Sequence, residues 1–131
     1  MATRDLKSNL LAAQSLAPAA VTASANGTGV DLRGFDSAQV IIDAGAWTDG
    51  THTFEVQESD DDATYTAVAD TELDGTEPVI DGAADDDQVY TIGYKGGSRY
   101  LRVAVTVSGA TSGAVYGAMI QRGHPHRAPT A

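Results

Sequence analysis

The run Arg99-Tyr-Leu-Arg-Val-Ala-Val-Thr-Val107 alternates without a break, and this constrains the fold more than any other feature. Leu101, Val103, Val105 and Val107 share one face, and Tyr100, Arg102, Ala104 and Thr106 share the other. A period of two is the signature of a half-buried strand. A slip of one residue would turn all four aliphatics to solvent, so the register is firmly specified.

Other alternating stretches surround this one. Ser37–Ala44 carries Val40 and Ile42 on one side, and Thr51–Glu58 carries Phe54 and Val56 in phase with His52. Gln88–Tyr94 alternates Tyr90, Ile92 and Tyr94 against Val89, Thr91 and Gly93. Ala63–Val68 and Ala114–Gln121 read as strands, and Ala20–Ser24 and Gly29–Leu32 as short strands flanking Asn26-Gly27. Asp49-Gly50 predicts a hairpin with Trp47 near its tip. Lys95-Gly-Gly-Ser98 and Ser108–Gly113 predict the next two turns. The sum is an all-β chain: an antiparallel β-sandwich or barrel, jelly-roll or immunoglobulin-like, of about seven or eight short strands. Segments 70–87 and 123–131 read as loop and tail. Residues 2–16 fit a helical turn or extended chain equally well. The expected organisation is an N-terminal arm over 1–17, a β domain over 18–121 and a C-terminal tail over 122–131.

The 131 residues fit one domain. With no cysteine there are no disulfides, thiolate metal sites or cysteine nucleophiles. Charge is sorted along the chain. All acidic residues except Asp5 lie between Asp31 and Asp87, where the only base is Arg33. The stretch from Gln88 onward has no acid and carries Lys95, Arg99, Arg102, Arg122 and Arg127. A net charge of −10 argues against binding to nucleic acid or an anionic membrane surface. Arg4 and Lys7 before an apolar stretch resemble a secretory leader, but Asp5, Gln14, Ser15 and Pro18 interrupt that pattern, so no cleaved leader is expected.

No reactive constellation emerges. Asp60-Asp61-Asp62 and Asp85-Asp86-Asp87 lack the spacing of a calcium loop and read as solvated turns. His124-Pro-His126 has no nearby carboxylate to complete a metal site, and His52 fits the edge of a core. There is no G-x-S-x-G motif and no phosphate-binding loop. The expectation is a non-enzymatic protein with no cofactor and no metal.

Four stretches carry a likeness to a known family. They are Leu6-Lys-Ser-Asn-Leu-Leu-Ala-Ala-Gln-Ser-Leu-Ala-Pro18; Gly45-Ala-Trp-Thr-Asp-Gly-Thr51 together with Glu58-Ser-Asp-Asp-Asp-Ala-Thr-Tyr-Thr-Ala-Val68; Gly93-Tyr-Lys-Gly-Gly-Ser-Arg-Tyr-Leu-Arg-Val-Ala-Val105; and Arg122-Gly-His-Pro-His-Arg-Ala-Pro129. With them the chain resembles the small proteins of tailed bacteriophages and prophages encoded beside the major capsid protein, taken to be capsid decoration (cement) or head-associated proteins. The resemblance implies a virion protein, made in the bacterial cytoplasm, that stabilises the capsid by bridging major capsid protein subunits, either singly or as an oligomer of itself. On this reading the candidate contacts are Leu6, Leu10 and Leu11 of the first arm, Trp47, and Arg122, His124, His126 and Arg127 of the tail. Two alternatives stand beside it: a carbohydrate- or receptor-binding β module using Trp47 as an aromatic platform, and a head–tail or tail subunit.

Overall fold

The structure, a computed structural model, describes residues 5–130. It contains strands β1 (Leu10–Val21), β2 (Ala25–Asn26), β3 (Val30–Asp31), β4 (Phe35–Trp47), β5 (Thr51–Ser59), β6 (Thr66–Ala67), β7 (Leu73–Asp74), β8 (Val79–Ile80), β9 (Val89–Tyr94), β10 (Tyr100–Ser108) and β11 (Ala114–Pro125). These form two antiparallel sheets packed as a sandwich, with no helix of seven residues or more among the described residues. One sheet runs β1-β11-β4-β9-β7. In the other, β10 and β5 are central, with β2 and β3 on the free side of β10 and β6 and β8 on the free side of β5.

The alternation of 99–107 holds as read: Leu101 and Val103 are fully buried and Val105 nearly so. Val103 lies opposite Val56, and Val105 opposite Phe54. Val40, Ile42, Ile92, Tyr116 and Ile120 supply the core from the five-stranded sheet.

The expected hairpins prove to be arches. β4 and β5 lie in different sheets, so Asp49-Gly50 carries the chain across the core rather than between paired neighbours. The turns after β9 and β10 do the same. Both strands of an arch bury their apolar face, just as hairpin strands do, so alternation cannot separate the two. The Asp49 carboxylate fastens two arches together by accepting hydrogen bonds from the backbone N–H groups of Thr111, Ser112 and Gly113, the last at 2.7 Å. Gly113 has φ +76, and a Cβ there would run into the Val21 carbonyl.

Both chain ends differ from the expected arms. Leu10–Val21 is an edge strand paired with β11 from Leu10↔Gly123 to Val21↔Ala114. Its segment before residue 18 is therefore part of the sandwich, while residues 1–4 of the expected arm lie outside the described residues. A single 3-10 turn, Lys7–Asn9, precedes it. The strand carries apolar residues on both faces, which hides its period from a sequence reading. β11 extends to Pro125, and the tail then folds back: His126 N–H donates to the Gly34 carbonyl, and Thr130 N–H to the Ser8 carbonyl.

Asn26-Gly27 is likewise no hairpin, and Ala20–Ser24 is not a strand of its own. β2 and β3 run along the same edge of β10, interrupted by residues 27–29. There Ser15 closes the side of the sandwich. Its hydroxyl accepts from Val103 N–H (2.9 Å) and donates to the Thr28 carbonyl (3.0 Å). The segment 70–87 also departs from plain loop, because β7 and β8 bury Leu73 and Ile80.

The Asp49 clamp gives a pH-dependent prediction. Its N–H donors, Gly113 first, hold the carboxyl below the usual carboxylate range. A carboxyl depressed in the folded state stabilises above its unfolded value and loses that contribution as pH falls through the folded one. Asp49→Ala is therefore expected to melt earlier than wild type at neutral pH, with the difference closing below about pH 4. Thermal melts of both proteins from pH 7 to pH 2.5 check this; a gap that stays constant with pH refutes it.

Candidate functional site

The charge sorting along the sequence becomes a sorting in space. The acidic excursion from Asp60 to Asp87 supplies β6, β7 and β8, which line one side of the sandwich. β1, with no charged residue, lines the other.

The acidic turns are held by their own backbone. Asp61 accepts from the N–H groups of Thr64 and Ala63 and from the Ser59 hydroxyl, which lowers its pKa to about 2. Asp85 accepts from the Tyr90 hydroxyl (2.9 Å), and Asp86 from Trp47 N–H (2.8 Å). Among the described residues no group of three His, Asp or Glu side chains is placed to hold a metal ion.

The outer face of the five-stranded sheet is different in kind. Register places Leu10, Ala12, Gln14 and Ala20 of β1 there, opposite Gly123, Gln121, Met119 and Val115 of β11. Gln39, Ile41 and Asp43 of β4 follow, then Gly93, Thr91 and Val89 of β9. Within its strands this face carries charge only at Asp43 and, on the far edge, Asp74. Val89 (62% exposed) and Val115 (43%) lie on it, and Leu6 (70%) borders the same hollow as Leu10, Ala12 and Gln121. Among the described residues the other large exposed aliphatic is Val79, on β8, as exposed as Val115.

The face is low in relief. Gln39 bonds to Gln121 across it (2.9 Å), above a depression floored by Gly93 and Gly123. A second depression, of about 150 Å³, lies among Gln14, Pro18, Asp43, Val115 and Met119. Its floor is Gly117, where a Cβ would stand 2.9 Å from Pro18 Cγ. Glycine is required there because the irregular stretch of β1 folds Pro18 over the sheet.

A groove of about 470 Å³ opens at one end of the sandwich between Phe35, Tyr94, Arg33, Arg99 and His126. Arg99 there makes a bidentate pair with Asp31, and His126 Nε2 is 2.7 Å from Asp36, while the side chains of Arg33 and Asp60 on the lining make no ion pair. The Tyr94 hydroxyl donates to Glu58, and burial pushes its pKa up to about 12.

The expected contact residues are therefore dispersed. Leu6 and Leu10 lie on or beside the outer face. Leu11, of opposite parity, pairs with Arg122. The Arg122 guanidinium stacks on Phe35 and donates to the carbonyls of Asp31 (3.0 Å) and Leu11 (3.3 Å), and its burial lowers its pKa. His124 shares a hydrogen bond with the Ser37 hydroxyl (2.7 Å), and Arg127 is exposed. Trp47 is half-buried against the core, its ring N–H donating to the Gly50 carbonyl, so it is no hairpin-tip platform. His52 is fully buried between the Tyr116 hydroxyl (2.8 Å) and the Asp49 carbonyl (3.1 Å), a core position. Asp43, Val89, Val115 and Met119 were not singled out by sequence reasoning. Their signal is the outward parity of strands whose outward positions are apolar or amide rather than charged.

Comparison with protein-family models and with curated proteins finds no match.

Proposed function

We propose that this is a non-enzymatic structural protein of a tailed-phage virion that decorates the outer surface of the capsid and stabilises it by bridging major capsid protein subunits. It docks through the outer face of the five-stranded sheet and turns its acidic side to solvent. The observation that carries this reading is one broad, nearly uncharged face with exposed aliphatics on a protein of net charge −10. Monomeric proteins rarely leave such a patch uncovered. Strand spacing and rise give a face of about 20 by 35 Å, or roughly 700 Å², close to one partner's share of a standard protein interface. The identity of the partner rests on the family resemblance of the four sequence stretches.

The test is rebinding to purified heads that lack the protein. The double variant Ala12→Glu/Val89→Glu places two charges on exposed positions of the face, so its stability should stay within about 0.5 kcal/mol of wild type per site. Wild type is expected to co-sediment with heads and raise the temperature at which they break. The variant is expected to lose nearly all occupancy. A folded variant that still decorates fully overturns the docking face, and wild type that ignores heads overturns the capsid partner.

A further inference from the structure

Resting on the docking role of the outer face, we infer that the depression at Asp43 receives a lysine or arginine side chain from the polypeptide that covers this face. Asp43 sits mid-sheet on β4, opposite Gly117 on one side and Val89 on the other. It is exposed and, among the described residues, takes part in no ion pair or side-chain hydrogen bond. The carboxylates of Asp60, Asp70, Asp74, Asp81 and Asp87 are likewise unpaired among the described residues, but of these only Asp74 is on the outer face, at its far edge, whereas Asp43 stands at its centre.

Its surroundings suit one long basic side chain. Leu16, Pro18, Val115 and Met119 offer apolar walls for a methylene stem, and Pro18 closes over Gly117 at the floor. Gln14 stands on the rim, where its amide oxygen is a second acceptor. Lysine and arginine bury such stems against apolar surface while their charge finds a polar partner.

The argument for a cation also comes from what covering the face would do. A carboxylate sealed under a purely apolar partner loses its hydration with nothing in return. A basic side chain offsets that loss most fully, because it brings opposite charge as well as hydrogen bonds. A second copy paired about this point does not fit: two-fold pairing centred here brings Asp43 toward its own equivalent, and the matching face has no base within its strands, the nearest being Lys7 at the border beside Leu6 and Leu10.

The experiment needs no capsid. Isotope-labelled protein is titrated with N-acetyl-lysine methylamide at about 150 mM salt, which screens loose attraction to the acidic side. The control probe is the same molecule with its side-chain amine acetylated. Saturable amide shifts are expected at Gln14, Asp43, Val115, Gly117 and Met119. They should weaken about fivefold in Asp43→Asn, the loss of one exposed ion pair, and vanish with the acetylated probe. Shifts of equal size over Asp60–Asp62 and Asp85–Asp87, shifts unchanged in Asp43→Asn, or no shifts at all overturn the inference. Its failure is separable from failure of the docking face. The titration can fail while Ala12→Glu/Val89→Glu still releases the protein from heads, and can succeed while that variant remains bound.

Discussion

Val103→Asp is expected to abolish the cooperative thermal transition under conditions where the wild type is folded. Val103 is fully buried on β10, opposite the equally buried Val56. Its side chain lies within one continuous apolar cluster drawn from both sheets. A carboxylate there has no partner and must either lose its hydration or take up a proton against its ordinary affinity. Either way the cost is several kcal/mol, a large fraction of the roughly 5–15 kcal/mol that holds a domain of this kind together. Thr106→Asp is the control. It stands on the same strand but faces solvent, so its melting temperature should stay close to wild type. If Val103→Asp melts within a few degrees of wild type, the facing assigned to β10 is wrong.

What could be read from the sequence follows from what alternation measures. It reports the face a residue occupies, which is why Val40, Ile42, Phe54, Val56, Leu101 and Val103 are all in the core as expected. It does not report which strand lies alongside. Asp49-Gly50 turns the chain, but whether it joins neighbours in one sheet or arches to the other depends on distant pairing with β11 and β10. β7 and β8 are two residues each, too short to show a period, though they bury Leu73 and Ile80. β1 was hidden for the opposite reason. Ala13 and Leu16 pack on the core while Leu10 and Ala12 face outward, so apolar residues occur at both parities.

The same physics governs the site. Leu6 and Leu10 attract notice because nothing in the chain before them explains their apolarity. Val89, Val115 and Asp43 sit inside confident strands, where an outward aliphatic passes as ordinary. Only the lateral order β1-β11-β4-β9 gathers them into one surface. The segregation of charge carried over from sequence to space because the whole excursion from Asp60 to Asp87 stays on the side of the sandwich away from β1.

Deletion of residues 1–17 is expected to lower the melting temperature by about 10–20 °C, and this separates an integral edge strand from a free gripping arm. The deletion removes the pairing of β1 with β11 from Leu10↔Gly123 through Leu16↔Ala118. It strips Ala13 and Leu16 from the core and takes away the Ser15 hydroxyl that bridges Val103 and Thr28. Part-burial of the two apolar side chains contributes about 0.5–1.5 kcal/mol each, and the two hydrogen bonds about 1 kcal/mol each net. A loss of about 3–5 kcal/mol corresponds to roughly 3–5 °C per kcal/mol in a domain of this size. The cut also leaves β11 as a raw edge, so the truncated protein should associate on heating. Deleting only residues 126–131 removes the bonds of His126 to Gly34 and of Thr130 to Ser8, and should cost only a few degrees. Occupancy on capsids cannot distinguish these cases, because Leu10, Ala12 and Gln14 belong to the docking face itself and any loss of β1 reduces binding. The melting temperature can: a protein lacking residues 1–17 that melts like wild type would mean that β1 is an arm resting on the sandwich and not one of its strands.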